Sequence, residues 1–209
     1  MSAAVSTQAG FDQTDAPTIA RASVRLGLME SAAVLLVSLI LRYLDGPLGL
    51  GAAGVVIAVG LALLTVLPGS WTRARTIEGI AGAAGIGLGA TVVFLIVDVA
   101  LLQPIGTYSH RWLDIGGGSN WWYHPVWWMV GTYIPWFGAW ILANQTSKSG
   151  SPSVPAALGM TFGMTVVCAA AAVLLKVPGA AWGLGTFAVA YLPGLALATL
   201  ISVLGVRRA

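Results

Sequence analysis

Apolar residues run along this chain in long blocks, and short polar stretches rich in Gly, Pro and Ser separate one block from the next. A helix needs about 20 mostly apolar residues to cross the hydrocarbon core of a bilayer. Six blocks reach that length and predict spans at about 26–44, 48–67, 80–102, 125–143, 156–175 and 180–206. The breaks fall at Asp45-Gly46-Pro47, at Pro68-Gly69-Ser70 with the charged turn to Arg75, at 103–124, at Asn144 to Ser153, and at Lys176 to Gly179. Gly and Pro interrupt regular segments, so these points read as turns. Spans one and two share the shortest connection, which leaves five spans as the fallback count. The pattern predicts an all-α polytopic membrane bundle. A polar N-terminal tail, 1–23, precedes a single transmembrane domain over 24–209.

Composition explains why these blocks cannot all belong to a soluble core. The chain is 57% hydrophobic and 8% charged, with a mean hydropathy of +0.87. Soluble domains carry about 25% charged residues, so lipid is the solvent for much of this surface. The net charge of +3 comes from ten basic residues that form no run, and a nucleic-acid partner needs a clustered basic footprint. The partners implied are membrane lipids and other integral membrane subunits. A single cysteine, Cys168, sits inside an apolar block and gives neither a disulfide framework nor a thiolate metal site. Residues 1–20 lack a basic residue ahead of an apolar core, unlike a secretory signal.

Basic residues set the expected orientation, because cytoplasmic ends of spans collect Lys and Arg. With the N-terminus inside, Arg21, Arg25, Arg73, Arg75, Lys148, Arg207 and Arg208 fall on the cytoplasmic side, against Arg42, Arg111 and Lys176 outside. Both termini are expected in the cytoplasm and loop 103–124 on the periplasmic or outer side. The Ala-, Gly- and Val-rich chain suggests a bacterial inner membrane.

Small residues one turn apart let helices approach closely in lipid. Gly85 and Gly89 form such a pair in span three, Gly159 and Gly163 in span five, and Gly179 and Gly183 at the start of span six. Gly82, Gly85 and Gly89 share one face of span three, with Gly87, Thr91 and Asp98 roughly opposite. Two faces with something to bury place span three near the centre of the bundle.

Two acids lie inside apolar blocks, Asp98 near the outer end of span three and Glu30 near the inner end of span one. An unpaired charge there is expensive, so each is either a hydrogen-bonded joint or part of an ion path. For Asp98 the joint would tie span three to a Trp or Tyr of span four. Tyr108 to Trp140 holds seven of the nine tryptophans and both histidines. Trp121, Trp122, Trp127 and Trp128, beside Tyr123 and His124, suit an interfacial aromatic belt. Trp136 lies deeper, against another helix, lipid chains or a bound lipid, quinone or pigment. His110, Asp114 and His124 have ligand chemistry for a metal or haem, although their spacing matches no motif.

No nucleophile elbow, zinc-protease helix or phosphate-binding loop occurs. The chain therefore reads first as a non-catalytic accessory or scaffolding subunit of a photosynthetic or respiratory membrane complex. A small transporter or channel using Asp98 and Glu30 is the alternative, and a metal or haem site at His110, Asp114 and His124 the second.

Overall fold

The computed structural model describes residues 12–109, 112 and 123–206. Six long helices carry the chain: α1 (Ala16–Tyr43), α2 (Gly46–Trp71), α3 (Ile77–Val97), α4 (Tyr123–Ser149), α5 (Val154–Leu174) and α6 (Leu184–Val206). A single π-turn, Asp98–Leu102, prolongs α3, and there is no strand among the described residues. The protein is an integral membrane helix bundle.

Five of the helices are long and apolar enough to cross a membrane: α1, α2, α3 with its π-turn, α5 and α6. The doubtful pair α1 and α2 both qualify, and the helix that falls short is α4. Its 27 residues include Trp, Tyr, Pro and a polar end, Gln145 to Ser149. Yet α4 runs the height of the bundle. Near one end Trp127 meets Phe94, with ring centroids 4.5 Å apart; towards the other, Trp136 and Trp140 pack on Ala74 and Ile80. It is the central helix, packed against α2, α3 and α6, so aromatic contacts with protein take the place of aliphatic contacts with lipid. Outside this core the bundle presents Val55, Val59, Ile96, Leu174, Val189 and Leu204 as exposed apolar side chains.

Both ends of the described chain lie on one side. Gln13 N–H donates to Thr72 O at 2.8 Å, which places the start of α1 at the α2–α3 turn. Asn144 Nδ2 donates to Ser202 Oγ at 2.8 Å, and this ties the final turns of α6 to the same end of α4.

The expected tail is shorter than 1–23, because α1 already starts at Ala16. Asp15 caps it by accepting from Thr18 N–H at 3.1 Å, and Pro17 suits the first turn, where its missing N–H costs nothing. Hydrogen bonds from Thr18 hold the Asp15 carboxyl below the usual range. Asp12 works in trans. Its carboxylate accepts from Arg75 N–H at 3.1 Å, Thr76 N–H at 3.0 Å, Thr76 Oγ1 at 2.5 Å and Gly79 N–H at 3.0 Å. Gly79 N–H, in the first turn of α3, is one of the donors that the start of a helix leaves without an intrahelical partner. A Cβ on Gly79 would lie 2.4 Å from Asp12 Oδ2, so glycine is what admits the clamp. Asp12→Ala is expected to lower bundle stability by about 1–2 kcal/mol, as other cap removals do. Unfolding in mixed dodecyl maltoside and SDS micelles checks this, and an unchanged midpoint would count against the clamp.

Glycine sets the helix crossings, only partly at the positions expected. Gly82 and Gly89 do pack, against Thr14 and Thr72 and against Ser23 respectively, whereas Gly85 meets nothing outside its own helix within 4 Å. Gly179 and Gly183 are not helical, since α6 begins at Leu184. Gly179 has φ +81° and serves the turn after α5, where a left-handed residue is required and glycine adopts it without strain. The tightest crossings against backbone are at Gly87 and Gly138. A Cβ on Gly87 would sit 2.1 Å from Gly131 O, and one on Gly138 would sit 1.9 Å from Thr65 O.

Candidate functional site

The two membrane acids occupy opposite environments. Asp98 is the first residue of the π-turn and is fully buried, at 0% exposure. Gln103 Nε2 donates to its Oδ2 at 2.6 Å, and the Tyr108 hydroxyl donates to its Oδ1. The joint expected of Asp98 is present, but its aromatic partner belongs to the loop after α3 and not to span four. The π-turn brings this about. Gln103 N–H reaches back five residues to Asp98 O at 2.9 Å, and the wider turn folds residues 103–108 over the end of α3.

α1 closes the same end from the other side. Ser38 Oγ donates to Thr107 O, and Arg42 Nη2 donates to Gly106 O at 2.5 Å. Gly106 has φ +69°, a conformation that a side chain would strain. Beneath this cap lie Val34, Phe94, Leu95 and Leu102, with Tyr108, Trp112 and Trp127 packed over them. Tyr108 and Trp112 meet edge to face at 5.3 Å. Sequence reasoning singled out Asp98 and Trp127 but missed Gln103 and Tyr108 as the partners of Asp98, and Ser38 and Arg42 as those of the loop. Arg42, a lone cation at the end of a span beside a glycine-bearing loop, was the available signal.

Glu30 has no such company. The helix starts earlier than expected, so Glu30 is not near the inner end of α1. It falls 14 residues after Ala16 and 13 before Tyr43, about 20 Å from either end at 1.5 Å per residue. Both carboxyl oxygens are buried without a hydrogen-bond partner. A bare carboxylate buried within a membrane bundle is costly unless paired, hydrated or neutralised.

The aromatic series divides. Trp127 packs at a tilt on Phe94 under the cap, and Trp128 is exposed at the bundle surface. Trp136 finds protein as its surroundings: it lies 5.2 Å from Phe137 and 5.7 Å from Trp140, over Ala74, Ile80 and Ala83. His110, Asp114, Trp121 and Trp122 lie outside the described residues. Tyr123 and His124 begin α4, and their side chains lie outside the description too. Among the described residues no three His, Cys, Asp or Glu side chains gather as a metal would need. One apolar groove of about 420 Å³ opens outward between α3 and α4, lined by Val92, Leu95, Ile96, Val99, Ala100 and Trp128.

No model of a known protein family matches this chain, and neither a curated protein nor a solved structure is found similar to it.

Proposed function

We propose that this protein is a non-catalytic accessory or scaffolding subunit of a larger membrane assembly of the bioenergetic kind, photosynthetic or respiratory. The observation that carries the reading is the free face of α5. Within the chain α5 packs chiefly on α6, through its buried Ala157, Thr161 and Thr165. Gly159 and Gly163 lie on the other side, one turn apart, and among the described residues none comes within 4 Å of a Cβ built on either. Val166 and Leu174 continue that exposed face. Close approach of a second helix is what such a pair is suited to, and the described helices supply none.

The basic ends of the spans orient the subunit in a bacterial inner membrane, with the Asp12 clamp cytoplasmic and loop 103–124 outside. The groove beside Trp128 would take an acyl chain, a quinone tail or a pigment at the interface with the neighbouring subunit.

Gentle-detergent purification from the native membrane, followed by mass spectrometry and a visible absorption spectrum, tests the proposal. Reproducible co-purification with a larger assembly is the expected result. Gly159→Leu combined with Gly163→Leu should lose those partners while the isolated chain keeps its unfolding midpoint. A colourless wild-type chain that runs alone would overturn the reading.

A further inference from the structure

Glu30 stands out among the buried groups because nothing in the architecture uses it. It shares its face of α1 with Ser23, Leu26, Gly27, Val34, Val37 and Leu41, all buried, at the spacing of one helical face. Its carboxyl therefore turns into the bundle and not toward lipid. Against that face stand α2, α3 and the π-turn. Helix α2 carries no titratable side chain from Gly46 to Trp71. Helix α3 carries only Glu78, in its first turn, with its Oε2 2.5 Å from the Thr76 hydroxyl oxygen. The π-turn carries Asp98, engaged by Gln103 and Tyr108. On α1 itself the charged groups are Arg21, Arg25 and Arg42. Arg21 donates to Pro17 O and Arg42 to Gly106 O, and Arg25 is exposed, five residues away on a different face.

We propose that Glu30 is an exchangeable proton-binding site inside the bundle, on the seam of α1, α2 and α3. A proton needs no ligand beyond the carboxyl oxygen it bonds to. A metal cation would need several oxygen ligands, and no cluster of that kind forms among the described residues. Asp98 supplies the contrast within the same bundle. Its two oxygens accept hydrogen bonds and fix a loop, while the two oxygens of Glu30 fix nothing, so a proton can come and go without undoing a contact. The proposal is independent of the subunit reading, since it concerns a group inside the chain and not the face of α5.

Infrared spectroscopy of the full chain in dodecyl maltoside micelles tests it, as wild type minus Glu30→Gln. The expected difference is the carbonyl stretch of a protonated carboxylic acid, present only in the wild type. That band should shift in D2O and disappear reversibly as the bulk pH is raised. Glu30→Asp should move the band without abolishing it, which keeps the assignment secure should Glu30→Gln fold poorly. A carboxylate stretch alone at every pH would overturn the proposal. So would a carbonyl band that neither shifts in D2O nor responds to pH, because the proton would then be fixed.

Discussion

Gly138→Ala is expected to destabilise the bundle by about 3 kcal/mol or more, a large penalty for one added methyl group, at the top of the usual overpacking range. The reason is what the new Cβ would meet. It would stand 1.9 Å from Thr65 O and 2.7 Å from the carbonyl carbon of the same residue. Those are backbone atoms of α2, and no rotamer change can move them aside. The helices α2 and α4 would have to separate by an ångström or so, giving up contacts along the whole crossing. The Thr65 hydroxyl also bonds to the Tyr191 hydroxyl at 2.7 Å, so displacing α2 strains the α6 contact as well. Gly131 makes a useful comparison. Its Cβ would clash first with Thr91 Oγ1, at 1.8 Å, which is a side-chain atom able to rotate, so Gly131→Ala should cost less. Gly159→Ala is the internal control. Nothing lies within 4 Å of its Cβ, and alanine favours a helix over glycine by about 0.8–1.0 kcal/mol, so the isolated chain should hold or gain stability. Equal unfolding midpoints for Gly138→Ala and Gly159→Ala would show that α2 and α4 do not cross as described.

That contrast also shows how far the sequence carried. The lengths of the apolar blocks announced the membrane helices, because the thickness of the bilayer leaves few alternatives. The G-x-x-x-G pattern was a poorer guide to contacts. Spacing shows which glycines share a face but not which face meets a neighbour within the chain. Gly159 and Gly163 match the pattern and lie open, while Gly87 and Gly138 belong to no such pair and make the closest approaches to the backbone of another helix. Gly87 was legible only as a member of the opposite face of span three. Its partner is the Gly131 carbonyl, which Pro135, having no N–H, leaves without its helical donor. Seeing that needs two helices in register. Block length marked α4 as a span although its Trp, Tyr and Pro leave it less apolar than the other five, and much of it packs on protein, with Trp128, Met129 and Tyr133 exposed. Asp98 was legible as a joint because an acid at that depth must be satisfied. Its partners were not, since they depend on a π-turn that no local pattern encodes.

Asp98 and Tyr108 should behave as one unit. Asp98→Ala removes the acceptor of the exposed Gln103 amide, which can turn to water, and of the half-buried Tyr108 hydroxyl, and a stranded buried donor costs about 1–3 kcal/mol. Removing the acid also removes its own burial penalty, which offsets part of that loss. The net expected effect is a destabilisation of about 2 kcal/mol, accompanied by opening of the loop over Phe94 and Trp127. Tyr108→Phe in the wild type should cost about 1 kcal/mol, the scale of one hydrogen bond. In the Asp98→Ala background the same change should cost less, because the hydrogen bond between the tyrosine hydroxyl and Asp98 is already gone. A double-mutant cycle isolates that coupling, with unfolding in mixed micelles as one measurement and Trp fluorescence as the other. Trp127 lies 4.5 Å from Phe94 beneath the cap, so its emission should shift to the red whenever the loop lifts. Strictly additive costs would mean that the bond does not hold the loop. A coupling with no fluorescence change would mean that it holds the loop but not the aromatic layer below, and that Ser38 and Arg42 keep the cap closed by themselves.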